Sequence, residues 1–362
     1  MSIGSMRAAV VLTAVAALTA CGDGTGPDGR FDPARLLADG QALEQVLSHN
    51  IFESVSAAAV SADPAQGGAA LVVADALLRG ARAGTVDRPG VANEIARAII
   101  ARTPPTALIL PPTALGTTYV YDPAAQRYVP APGRGGAPSN GARFILYAIN
   151  PITHQPVVTA EVGHADLIDR GGASLTSMEV QLLVVSGGVT HLDYTLELTA
   201  SPTSGHLGVN GFLTDGSTRV DFEIDLSGST GAVTSETEID FELAIRSRDF
   251  SVEGHAEAVG STESGTAEID LLVRSGGARI RYDVTGSTTT IDADVFVNDR
   301  LFATITGDPA APTVTGADGQ ALTEQEVQAL LYLIHLADAV FAIVGALLVV
   351  PIAFIGFLTS IP

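Results

Sequence analysis

The chain has 362 residues, 19 Lys+Arg against 40 Asp+Glu, a formal charge of −21 and a mean hydropathy of +0.32 with 46% hydrophobic residues. So apolar a composition excludes a fully disordered acidic chain, and the shortage of cations excludes the basic patch that binding nucleic acid needs. A single Cys allows neither an internal disulfide nor a cysteine-rich zinc site, and 5% aromatics with no Trp leave little for a stacking platform.

In chain order, Arg7 supplies a short cationic start, Ala8 to Ala17 an apolar core, and Leu18-Thr19-Ala20-Cys21 a small-residue cleavage site. That is the layout of an export signal, residues 1–20, which takes no part in the fold. Leu18-Thr19-Ala20-Cys21 resembles the lipobox of bacterial lipoproteins. The resemblance implies that the Cys21 thiol is alkylated with diacylglycerol and becomes the first mature residue. Two or three acyl chains, at about 0.8 kcal/mol per buried CH2, make a durable membrane anchor. Gly22 stands where Asp often marks inner-membrane retention in such proteins, so the resemblance favours the outer membrane. Residues 21–31, rich in Gly, read as a flexible tether.

Residues 32–103 have a helical period. Leu36, Leu37, Leu43, Val46, Leu47, Phe52 and Val55 recur at three- and four-residue steps, and Asp63-Pro64 and Arg88-Pro89-Gly90 interrupt the pattern. The expectation is one helix up to Ala62, one around Ala69 to Ala83, and one from Val91 to Arg102. Prolines from Pro104 to Pro112 then end the helical segment.

Over residues 104–307 the period becomes two. Leu192, Tyr194, Leu196 and Leu198 alternate with polar residues; so do Val220, Phe222, Ile224 and Leu226, and Ile239, Phe241, Leu243 and Ile245. Turn signals such as Ser186-Gly187-Gly188, Asp215-Gly216 and Ser275-Gly276-Gly277 separate the runs. This predicts an antiparallel meander of roughly a dozen strands, a curved sheet or open barrel with one oily and one charged face.

Residues 320–362 close the chain. Thr323 to Glu326 form a capping box, and Ala339 to Leu358 carry no charge. A helix apolar all round is buried in protein or in lipid. Pro351 and the lack of a following Arg favour a helix packed on the oily face of the sheet, with a membrane-inserted tail as the alternative. The fold class is therefore α+β: N-terminal helices, a large meander, and a hydrophobic C-terminal helix against it.

The charge is concentrated on the strands: residues 174 to 306 hold 21 acids and 7 Arg, whereas 104 to 173 hold 4 of each. A hairpin near Gly231 would bring Asp221, Glu223 and Asp225 close to Glu238, Asp240 and Glu242. Facing like charges destabilise a sheet, and a hard cation such as Ca²⁺ would relieve them, so these six are the candidate metal ligands; a hydrated acidic surface is the simpler reading. His164 with Asp166, His191 with Asp193, and His255 with Glu253 and Glu257 stand at alternate positions. Such sets would serve zinc or copper only with ligands from another strand. No nucleophile elbow, phosphate loop, dinucleotide fingerprint or zinc-protease helix occurs, so neither catalytic residues nor a cofactor are assigned. The sequence reads as a non-enzymatic envelope protein anchored in membrane lipid through Cys21, whose oily concavity holds either its own helix or an apolar ligand such as a lipid. The alternative is a structural or adhesive surface module with a cation-binding acidic face.

Overall fold

The computed structural model describes residues 33–62, 110–171, 177–201, 203–230, 235–260, 265–287, 289–308 and 311–324, with 327, 330, 347 and 350–358. The signal, Cys21, the tether and the helices expected around Ala69 to Ala83 and Val91 to Arg102 lie outside the described residues.

The helix expected up to Ala62 is two helices, α1 (Pro33–Leu47) and α2 (Asn50–Ala62). The break falls at Ser48-His49. There the His49 N–H turns back to the Val46 carbonyl at 3.2 Å, and the His49 imidazole meets the first turn of α2. Leu36, Leu43 and Val46 of α1 and Ile51, Val55, Ala58 and Ala59 of α2 are buried in one core with the sheet. Their three- and four-residue spacing puts them on one side of each helix.

The strands are β1 (Thr117–Asp122), β2 (Arg127–Pro130), β3 (Gly141–Ile149), β4 (Pro156–Gly171), β5 (Ser177–Ser186), β6 (Val189–Ala200), β7 (Ser204–Thr214) and β8 (Arg219–Thr230). They continue as β9 (Ser235–Ile245), β10 (Phe250–Gly260), β11 (Gly265–Ser275), β12 (Ala278–Ser287), β13 (Ile291–Val297), β14 (Arg300–Asp308) and β15 (Ala311–Gly316). All belong to one 15-stranded sheet, more than the dozen expected, and it is not closed: β2 and β15 are its two edges. From β3 to β15 each strand pairs antiparallel with the next; β1 alone breaks the order, lying parallel beside β3 with β2 outside it. The sheet is thus mixed.

Side chains alternate across the pleat, so each strand splits into a covered and an outer set. Val220, Phe222, Ile224 and Leu226 of β8 are at most 5% exposed, while Asp221, Glu223 and Asp225 between them face out. β7 and β6 approach so closely at Gly211 that a Cβ there would lie 2.2 Å from the Asp193 carbonyl oxygen. Only glycine permits that contact.

One sheet with an oily face has to bury it against another layer. The helices do this. Asp39 of α1, 2% exposed, accepts from Ser275 Oγ at 2.7 Å and Arg248 Nη1 at 3.2 Å, which ties α1 to the turn after β11 and the short 3-10 helix Arg246–Arg248. At the other end of the chain, the helical residues 350–358 pack on the first strands. The Phe354 ring stacks on Phe144 of β3 at 4.3 Å, and Phe357 meets Tyr119 of β1 edge-on at 5.5 Å. Tyr194 of β6 donates to the Leu347 carbonyl at 2.9 Å. No helix among the described residues is long and apolar enough to cross a membrane.

Candidate functional site

The outer face is built by register. Asp225, Asp240, His255, Asp270, Asp283 and Asp294 are direct cross-strand neighbours on β8 to β13, forming a single row across six strands. Neighbours in such a row stand about 5 Å apart, so each like-charged pair costs on the order of 1 kcal/mol even in water. One position along, Glu223 of β8 faces Glu242 of β9, which faces Glu253 of β10. On the other side, Ser227 faces Glu238, Glu238 faces Glu257, and Glu257 faces Glu268.

The six candidate ligands therefore do meet, but not as one cage. Glu223 is opposite Glu242 and Asp225 opposite Asp240, whereas Asp221 is opposite Ala244 and Glu238 opposite Ser227. Asp221 is occupied by guanidiniums: Arg219 Nε donates to it at 2.7 Å and Arg246 Nε at 3.0 Å. Asp225 Oδ1 lies 3.1 Å from His206 Nε2. Further along the row, Thr304 donates to Asp294 at 2.8 Å and Arg281 to Asp283 Oδ2 at 2.6 Å. Asp283 Oδ1 is buried without a hydrogen-bond partner. Burial first, then the charges of Asp270 and Asp294, push the Asp283 carboxyl above its usual range, with Arg281 opposing.

The tightest cluster of metal-binding atoms among the described residues is Glu238, Asp240 and His255, whose ligand atoms all lie within 4.8 Å of one another. His255 Nδ1 is 2.8 Å from Asp240 Oδ1 and 3.9 Å from Glu238 Oε1. The hydrogen bond to Asp240 is the largest cause holding the His255 pKa above its ordinary value; burial opposes it, and the charges of Asp240, Glu238 and Asp270 add to it. This triad crosses two strands. The sequence pattern had grouped His255 with Glu253 and Glu257 of its own strand, but Glu253 is taken by Arg274. One nitrogen and two carboxylate oxygens suit a borderline cation such as Zn²⁺ better than Ca²⁺, which takes six to eight oxygens. A depression in the outer face runs beside the triad and is lined by Glu223, Asp225, Glu242, Glu253 and Asp270 among others.

The other histidine pairs separate. His164 lies 3.8 Å from Asp166, but that carboxylate is held by both Nε and Nη2 of Arg143, each at 2.7 Å. Burial is the first cause of the lowered His164 pKa; Asp166 raises it and Arg143 lowers it further. Asp193 takes the Gln181 amide, while His191 turns to the Thr214 carbonyl and stacks on His49, a residue the periodicity had not singled out. One sequence signal did point to the central row: Asp225, Asp240, His255 and Asp270 step by fifteen residues, the length of one strand and its turn. No family model, curated protein or solved structure matches the chain.

Proposed function

We propose that the chain is a lipid-anchored bacterial envelope protein without catalytic chemistry of its own, held at the outer membrane through an acylated Cys21. The observation that carries this reading is the one cysteine of the chain standing directly after Leu18-Thr19-Ala20. The number of residues between Cys21 and Pro33 allows a separation of at most on the order of 40 Å, room enough for the sheet to stand clear of lipid headgroups. The packing of 350–358 on β1 and β3 supports a single anchor at the N-terminus, because aromatic side chains engaged with Phe144 and Tyr119 are not available to lipid. Metabolic labelling with palmitate tests it: Cys21→Ser abolishes labelling and releases the protein from membranes. Unchanged fractionation of that variant overturns the reading.

In this reading the first occupant of the oily face is the chain's own helices, and an apolar ligand enters only by displacing the terminal one. Deleting residues 339–362 then opens an apolar cleft that binds a hydrophobic dye. A truncated protein that stays monomeric and binds no dye excludes the ligand role.

A second reading, an adhesive or structural module using cations on the acidic face, is favoured by Glu223 opposite Glu242 and Asp225 opposite Asp240. Calorimetry separates the two: cation binding gives heat and raises the melting temperature on adding Ca²⁺ or Zn²⁺, whereas a merely hydrated face gives neither.

A further inference from the structure

The connector between α1 and α2 meets the hairpin turns of the sheet through two imidazoles. The His49 ring stacks on that of His191 of β6, with centroids 4.8 Å apart and planes 21° apart. His191 is 6% exposed, and its Nδ1 lies 2.9 Å from the Thr214 carbonyl oxygen. A carbonyl only accepts, so this Nδ1 carries the proton. His49 is used the opposite way. Its Nδ1 lies 3.4 Å from the backbone N–H of Ile51, in the first turn of α2, and an N–H only donates. The neutral His49 ring, bare at Nδ1, therefore serves as the N-cap of α2.

A proton on His49 Nδ1 acts against this contact in three ways. It removes the cap's acceptor, places a positive charge at the positive end of the helix dipole, and sets a cation face to face with His191. The groups facing the stack are Phe52 of α2, uncharged and 6.2 Å away, and Asp215 of the β7–β8 turn. Among the described residues Asp215 is the one charge that favours the proton on His49. Its Oδ1 accepts from the N–H groups of Ser217 and Thr218, at 2.8 and 2.7 Å, and from Ser217 Oγ at 2.8 Å, which keeps the carboxyl ionised; its pull on the His49 proton is outweighed by burial of the ring and by His191. We propose that the His49–His191 stack is an acid-sensitive latch, which holds the α1–α2 layer on the turns of the sheet at neutral pH and lets the start of α2 lift away when His49 is protonated.

The sign follows from the environment of the ring. Burial first, then His191, hold the His49 pKa below its ordinary value, so the unfolded chain takes up the proton more readily. The contribution of the latch is fully present above about pH 6.5, is lost as pH falls through that value, and is gone below the folded pKa.

Hydrogen exchange of the α2 amides in the full mature chain tests the proposal between about pH 5 and 7.5, above the range where carboxylates titrate. After correction for intrinsic rates, protection of residues 51–62 falls about tenfold on acidification, the size of one lost cap, while amides of β6 to β9 hold steady. His49→Asn keeps a neutral cap and removes this pH dependence. Equal acid sensitivity in His49→Asn and the parent, or no sensitivity in the parent, overturns the latch. Nitrogen chemical shifts give a second check that needs no variant: at neutral pH His49 carries its proton on Nε2 and His191 on Nδ1, and the reverse assignment for His49 overturns it as well.

Discussion

Replacing Phe354 by Ala measures whether the terminal helical segment belongs to the core. The Phe354 side chain is fully buried and stacks on Phe144 at 4.3 Å with 29° between the rings; Phe144 is itself fully buried and touches Tyr119, Tyr128 and Phe357 at 5.2, 5.5 and 5.8 Å. Phe→Ala at such a site costs about 3–5 kcal/mol, the lost transfer energy plus the cavity left among rings that cannot collapse into it. Against a typical total stability of about 5–15 kcal/mol, that is a large fraction. Phe357→Ala, at a side chain 6% exposed and held edge-on, costs about 3 kcal/mol. Tyr194→Phe removes only the hydroxyl that donates to the Leu347 carbonyl at 2.9 Å and costs about 1–2 kcal/mol. Urea titrations followed by circular dichroism, on a chain starting at residue 21 with Cys21→Ser, give the order Phe354, Phe357, Tyr194. The midpoint moves and the slope stays constant, because the surface exposed on unfolding is the same. A Phe354→Ala protein within about 0.5 kcal/mol of its parent refutes the packed helix and returns the segment to the membrane.

Asp39→Ala leaves Ser275 and Arg248 without their buried acceptor and costs about 2–3 kcal/mol, read as a lower melting temperature with early loss of helical signal; an unchanged melt denies α1 its anchor. Arg143→Ala strands Asp166, whose side chain is 6% exposed, and costs about 3–5 kcal/mol. Arg143→Lys recovers only part, since an ammonium cannot make both 2.7 Å bonds at once. His255 titrates above about 6.5 by NMR, so its linked stability is present below that value and is lost as pH rises through the folded pKa. Asp240→Asn brings the midpoint down; a midpoint that does not move removes Asp240 as the cause. Glu242→Arg turns two like-charged contacts, to Glu223 and Glu253, into opposite-charged ones and stabilises by about 0.5–1 kcal/mol, less in high salt. A destabilised variant would mean that Glu242 holds a cation, in agreement with the second functional reading.

The two-residue period along β5 to β13 was legible because it is a strictly local pattern: at Val220 to Leu226 every second residue is apolar, and burial follows it residue by residue. The break of the first helix was not, because Ser48-His49 carries neither Gly nor Pro. The chain turns there because His49 finds both a cap to make and a ring to stack on, and the second partner lies on β6. The same distinction governs the acidic face. Glu223 facing Glu242 and Asp225 facing Asp240 follow from one hairpin, but grouping His255 with Glu238 and Asp240 needs the register across the next turn. That register depends on the 3-10 helix Arg246–Arg248 and on Asp249 in the left-handed region, φ 52°, a conformation that residues other than glycine adopt uncommonly and that no Gly marks here.

Proline marks what the alternating pattern cannot, namely which strands are edges. A sheet that does not close leaves two rows of backbone N–H and C=O groups able to accept a further strand. Proline has no N–H and is confined to such edges or to strand starts. β2 ends in Pro130 and β15 carries Pro312 one residue inside its start, while Pro156 opens β4. Each edge strand thus contains one residue that has no N–H to offer. The long interior strands β5 to β14 contain no proline, and their outer positions carry the rows of carboxylates. Those rows cost Coulomb energy within the sheet, but they also repel a second sheet laid face to face. Among the described residues the open sheet therefore carries three features that oppose self-association: helices packed on the covered face, charge on the outer one, and a proline in each edge strand.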